Sequence, residues 1–314
     1  MTGTAWERLG LVFRAEGQRP WMRTHSQMPH AERIEGSVFR VYFTCRDERN
    51  RSHIAWLAVD LERPSEILEL ASEPLMGPGR VGRFDDVGIM SSCMVETGGE
   101  RRFYVIGWNI RTTVRMHVSV GLATGPAAGP PRIGRLLAGP VLDRNPANPY
   151  YATCPWVARD DDGGWRMWYA SGLDWADGAD GRPATRYNIW HARSPDGVVW
   201  TPDREATLDF AHPREVAVTR PLIVRDPGVW RMWQCWRGED YDYRIGYAES
   251  DDGVRWTRRD DDPMALLASG SGFDSEAASY PFVFDHGGER WMLYSGDAYG
   301  QAGFGLARLR TSHG

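Results

Sequence analysis

The chain has 314 residues, with 37 Lys and Arg against 42 Asp and Glu, for a formal net charge of -5. This balance gives a nucleic-acid partner no electrostatic support. The sequence contains no run of about 18 apolar residues and no basic start followed by an apolar stretch, so neither a membrane span nor a signal peptide is expected, and the expected location is cytoplasmic.

Residues 1–24 precede a set of internal repeats, and Trp6 to Phe13 reads as a strand able to complete the last of them. The repeats are marked by short aromatic runs: FRVYFTCR, RRFYVIGW, WRMWYASG, WRMWQCWR and RWMLYSGD, centred on Val41, Phe103, Met167, Met232 and Met292. They recur about every 60 to 65 residues, a constant period that signals a repeat architecture. Each run is too short for a helix and rich in strand-forming residues. Upstream of each lies a second apolar run, usually with a Pro, and downstream a third. Copies three and four add SPDGVVW and SDDGVRW, where Asp-Gly between apolar residues marks a tight turn into a fourth strand.

Three or four strands per unit, five times over, predict an all-β, five-bladed β-propeller forming one domain over residues 1–314. The blades are expected at about 25–61, 85–124, 149–201, 215–257 and 273–309, with residues 1–24 closing the ring. A Gly/Pro-rich link is expected over 126–148, and a loop, LDWADGADGRPATR, between the second and third strands of blade three. The 15 tryptophans recur at matching places and read first as packing between blades. Cys45, Cys93, Cys154 and Cys235 fall in or beside strands of four different blades and show no CxxC spacing, so buried free thiols are expected.

In a propeller the inner strands begin around one central funnel, so polar residues at those starts converge despite their separation in sequence. Blade one offers His25 and Gln27, blade two Asp85 and Asp86, blade three Tyr150 and Tyr151, blade four Glu215 and Arg220, and blade five Glu276 and Tyr280. The loops after the second strands add Arg46 and Asp47, Trp108, Arg237, and Asp297 with Tyr299. Carboxylates, arginines and aromatic rings around a cleft suit a polyhydroxylated small molecule or saccharide. Paired carboxylates suit acid and base work on a glycosidic bond. No cofactor is called for, and no contiguous motif marks a metal site.

The fivefold pattern, the S-x-D-G-x-x-W turns and the stretch FDSEAASYPFVFDHGGERWMLYSGDAYGQAGFGLA resemble the five-bladed propeller glycoside hydrolases. These form the arabinanase, β-xylosidase, levansucrase and invertase clan, with mannoside phosphorylases as neighbours. The resemblance spans about His25 to Leu309. It implies a base or nucleophile Asp on the inner strand of blade one, an orienting Asp in blade two and an acid Glu in blade three. Asp85 or Asp86 matches the second. His25 and Gln27 stand where the first is expected, and Tyr150 and Tyr151 where the third is expected. The expectation is therefore a glycosidase-like enzyme with Asp86, Glu215 and Glu276 as its catalytic carboxylates, Glu276 or Glu215 being the acid. His25, Gln27, Asp47, Asp85, Trp108, Tyr150, Tyr151, Arg220, Arg237, Tyr280 and Asp297 are expected to bind substrate. A non-hydrolytic biosynthetic enzyme and a sugar-binding propeller are the alternatives.

Overall fold

A computed structural model describes residues 4–178 and 181–311. Two compact units are present, one formed by the chain up to Pro74 together with Leu222 onward, the other by Leu75–Pro221. Both are built almost wholly of antiparallel strands. In chain order these are β1 (Thr4–Phe13), β2 (Thr24–Glu35), β3 (Val38–Arg46), β4 (Ser52–Asp60), β5 (Ile67–Leu70), β6 (Gly88–Thr97), β7 (Glu100–Asn109), β8 (His117–Pro126), β9 (Gly134–Arg135) and β10 (Ala152–Arg159). There follow β11 (Trp165–Asp177), β12 (Pro183–Ser194), β13 (Thr201–Leu208), β14 (Glu215–Asp226), β15 (Val229–Gly238), β16 (Arg244–Ser250), β17 (Thr257–Arg258), β18 (Ser279–His286), β19 (Glu289–Ser295) and β20 (Phe304–Thr311). Among the described residues no helix is long and apolar enough to cross a membrane.

The first unit holds the meander β2-β3-β4-β5, the strands β15-β16-β17, and a four-stranded sheet in the order β1-β20-β19-β18. The N-terminal strand thus lies against the C-terminal one, with Thr4 opposite Thr311 and Phe13 opposite Phe304. The second unit holds the meanders β6-β7-β8-β9 and β10-β11-β12-β13.

The repeat register is reproduced residue by residue. Val41, Phe103, Met167, Met232 and Met292 lie in β3, β7, β11, β15 and β19, each at most 1% exposed. On the following strand they face Leu57, Ala123, Ala192, Ala248 and Ala307. In the last four copies a large side chain sits beside an alanine; in the first, the smaller Val41 sits beside Leu57. Either way a close-packed interior gets its filled volume. The Asp-Gly turns are local constructions. The Ser194 hydroxyl accepts from the amides of Asp196 and Gly197, and the Asp196 carboxylate from those of Val198 and Val199. Ser250 and Asp252 repeat the arrangement.

One stretch expected as a loop is largely strand. The segment LDWADGADGRPATR continues the β11–β12 hairpin, with Asp174 opposite Arg186, Trp175 opposite Thr185 and Asp177 opposite Pro183. The Asp and Gly residues suggest a loop, but cross-strand pairing and the Asp174–Arg186 ion pair carry the ladder outward. Ala179 and Asp180, in the same stretch, lie outside the described residues.

The four cysteines are free and buried. Burial raises the Cys45 thiol, and it pushes Cys93 up to about 12. Two expectations follow. The native protein should react slowly with a thiol reagent, and the unfolded, unreduced protein should titrate four thiols; two or fewer would mean disulfides. Met167→Ala should cost about 2–5 kcal/mol in denaturant unfolding, whereas Val81→Ala, at a position 99% exposed, should stay within about 0.5 kcal/mol.

Candidate functional site

The first strands of the repeats are irregular at comparable places. The pairing slips between Thr24 and Gln27 and again between Gln27 and His30 in β2, between Ser91 and Cys93 in β6, between Thr153 and Trp156 in β10, and between Ser279 and Phe282 in β18. Met28, Cys154, Arg220 and Tyr280 have φ of 58°, 50°, 53° and 53°. Each is followed by a proline: Pro29, Pro155, Pro221 and Pro281. Proline has no amide to give the ladder, so a bulge is where a strand tolerates it. A bulge also re-aims the side chains beside it.

In the first unit the bulges of β2 and β18 lie in one cluster with the end of β3. His25 has φ 62°, and its Nδ1 is hydrogen-bonded to the Thr24 hydroxyl, 2.9 Å away. Burial first, and the Arg46 guanidinium second, pull its pKa down to about 4. Arg46 donates to the Asn50 side-chain oxygen (3.0 Å) and to that of Gln27 (3.4 Å). Burial lowers the pKa of Arg46, and the phenols of Tyr280 and Tyr299 act in the opposite direction. Tyr243 packs against Tyr280 at 6.0 Å and Tyr299 at 5.8 Å between ring centroids, and Arg237 lies over its face. The turn carrying Tyr299 approaches β2 so closely that a Cβ on Gly300 would come within 2.9 Å of the Ser26 carbonyl oxygen.

The carboxylates expected in this unit have other engagements. Asp297 accepts from the Ser275 hydroxyl and the amides of Glu276 and Ala277, at 2.6 to 2.8 Å, which makes it a turn fastener. Asp47 accepts from the amides of Arg49 and Arg51, the Arg51 side chain and His53. Burial alone would raise the Asp47 carboxyl, but these hydrogen bonds hold it below its ordinary value. Glu276 is exposed and lacks the enclosed setting in which a general acid usually stands.

In the second unit Asp85 is fully buried and accepts from Arg135 at 2.5 Å. Asp86 accepts from the Gly82 amide with Oδ2, while its Oδ1 is buried without a hydrogen bond. Trp108 is half-buried on β7 and Tyr150 is exposed. Arg220 is buried and donates through Nη1 to the carbonyl and hydroxyl of Ser92. Glu215, 4% exposed, accepts from the Ala211 amide at 2.9 Å.

Glu215 begins β14, which runs parallel beside β12 with Ala217 opposite Tyr187. Tyr187 and Trp175 are half-buried and meet the edge of Tyr151 at 6.4 and 6.1 Å. The Tyr151 hydroxyl lies 3.0 Å from that of Thr185. Gly172 makes this possible, because a Cβ there would stand 2.5 Å from the Tyr151 ring. Sequence reasoning missed Trp175, Thr185, Tyr187 and Tyr243. The first three lie in or beside the stretch expected as a loop, although the alternation Thr185-Arg186-Tyr187 is a strand signal. Tyr243 sits in a charged stretch, GEDYDYR, with no such signal. Among the described residues no group of three or more His, Cys, Asp or Glu could hold a metal ion.

The lowered pKa of His25 has a consequence for stability. Between about pH 6.5 and pH 4 the unfolded chain binds a proton that folded His25 does not, so stability rises with pH through this window and is lost as pH falls. His53 and His191 are lowered too and act in the same sense. His25→Asn should flatten this part of the stability profile, and an NMR titration should find His25 neutral at pH 5.

No family model matches the chain. The uncharacterized protein Rv1502 of Mycobacterium tuberculosis is 41% identical over 307 residues, covering 98% of this chain and 100% of that protein. Among solved structures, a glycoside hydrolase superposes with a TM-score of 0.73 at 17% identity, over 100% of this chain and 93% of its own. A thermostable family-43 glycoside hydrolase gives 0.65 at 15% identity, over 91% and 88%. A member of the GH130 family of mannoside phosphorylases, described as containing hydrolases that target β-1,2 mannosidic linkages in Candida mannan, gives 0.65 at 14%, over 98% and 94%. These likenesses show the fold, that of the propeller glycoside hydrolases.

Proposed function

Because the chain belongs to one family with Rv1502 of Mycobacterium tuberculosis and shares its fold with glycoside hydrolases, we propose that it is a carbohydrate-active enzyme of glycosidase type, its repeats forming the five blades of one propeller. The observation that carries this reading is the buried carboxylate of Glu215 at the start of the strand beside Tyr187. Trp175 and Tyr187, half-buried and packed on the buried Tyr151, supply aromatic surface for the apolar face of a sugar ring.

Glu215 is the general acid in this reading. It gives its proton to the glycosidic oxygen as the bond to the anomeric carbon breaks. Asp86, whose Oδ1 has no hydrogen bond in the protein, is the base. It takes a proton from the water whose oxygen bonds to the anomeric carbon, so one water is consumed and both carboxyl groups are restored by proton exchange with solvent. Asp85 is held by Arg135 and supports the loop beside Asp86. Glu276 takes no part in proton transfer, because it stands in solvent with its amide tied into the Asp297 turn.

The test begins with a panel of aryl glycosides to find a substrate. Glu215→Gln should then lower turnover by roughly 10²–10⁴, the usual worth of general acid–base catalysis, and leave substrate binding in place. Near-normal turnover in a folded Glu215→Gln protein would remove Glu215 from the acid role. Asp86→Asn should show a loss of similar size.

A further inference from the structure

The cluster around Arg46 carries a charge that its surroundings do not answer. Among the described residues Arg46 forms no ion pair, and its hydrogen bonds go to the neutral amide oxygens of Asn50 and Gln27. Its Nε is buried without a hydrogen-bond partner. The neighbouring carboxylates are committed elsewhere: Asp47 to Arg51 and His53, Asp297 to the turn at Ser275–Ala277. A half-buried guanidinium without a counter-ion is costly, and a ligand that supplies an anion would relieve that cost.

We propose that Arg46, flanked by His25, Gln27, Tyr280 and Tyr299, receives the carboxylate of an acidic sugar. A guanidinium has five N–H donors. Arg46 spends one on Asn50 and one on Gln27, so donors remain on both terminal nitrogens. Their planar arrangement matches a carboxylate. The charge also selects the class of anion. His25 is held neutral at ordinary pH, so it adds no charge of its own, and one negative charge balances Arg46. A phosphate monoester brings about 1.5–2 negative charges at pH 7 and would stay partly unneutralised. Tyr243, Tyr280 and Tyr299 line the same cluster with aromatic surface that suits a pyranose ring. This inference concerns binding and stands whether or not Glu215 is the acid.

Calorimetric titration of the full chain with D-galacturonate and D-glucuronate, against D-galactose, D-glucose and inorganic phosphate, tests it. At least one uronate should bind, and its neutral counterpart should bind about tenfold or more weakly. Arg46→Gln should weaken uronate binding about ten- to a hundredfold and leave the neutral sugar unchanged. Arg46→Lys, which keeps the charge and loses the fork, should fall between. Gln27→Glu places a carboxylate beside Arg46 and should abolish uronate binding in a protein that keeps its melting temperature, which covers the case of an unfolded Arg46→Gln. Absence of uronate binding, equal binding of uronate and neutral sugar, tighter binding of phosphate, or unchanged affinity in the folded variants would each overturn the assignment.

Discussion

The bulges in the first strands are the constraint on which much else depends. An L-residue in the left-handed region costs about 1–2 kcal/mol, and here Met28, Cys154, Arg220 and Tyr280 all adopt it immediately before a proline. Such strain persists only when the surroundings over-determine it. A bulge releases backbone groups from the ladder, and neighbouring hairpins collect them. In the first unit the Met28 amide donates to the Ser295 hydroxyl and the Tyr280 amide to the Cys235 sulfur. In the second the Val157 amide donates to the Cys93 sulfur, Arg220 to Ser92, and the Ser92 hydroxyl to the Pro155 carbonyl. Within each unit, then, the same irregularity ties neighbouring hairpins together and turns polar side chains out of the ladder. It also accounts for two buried cysteines, whose sulfurs accept hydrogen bonds in positions too enclosed for water.

Much of the fold was legible because packing repeats. The second strand must present a buried apolar residue to its neighbour once per copy, and that demand returns at Val41, Phe103, Met167, Met232 and Met292. The prolines were visible as a recurrent feature of the first runs, but the left-handed residue before each is not encoded by residue type: Met, Cys, Arg and Tyr share no propensity for it. The candidate site was less legible. A carboxylate in sequence carries no sign of its partner, and Asp85, Asp47 and Asp297 turn out to be engaged by Arg135, by Arg51 and His53, and by a turn. Those partners lie from four to 50 residues away, and residue type alone does not say which group will pair with which.

Charge is distributed unevenly over these positions. Most arginines near the described carboxylates form ion pairs of the kind that fixes loops, such as Arg290 and Arg231 on Asp226 or Arg8 on Asp274. Exposed pairs of this sort add little stability, but partly buried ones specify which loop conformation survives, since an unpaired partner would be costly. Around Arg46 the surroundings are two amides, a neutral imidazole and a group of phenols, with no carboxylate bonded to the guanidinium.

Departures from the repeat are the most informative positions in such a chain. Where a residue obeys the repeat, packing explains it, and no further role is needed. The β11–β12 hairpin does not obey it. It runs past the length of its counterparts, held by the pairing of Asp174 with Arg186 and of Trp175 with Thr185. Nothing in core packing calls for this extension, which leaves Trp175 and Tyr187 half-exposed. Gly172 gives up its side chain so that Tyr151 can lie between them. The extension sets Trp175 and Tyr187 against the buried Tyr151, on the surface that the proposed sugar site would use, in keeping with the general tendency of local rules to be broken at functional positions.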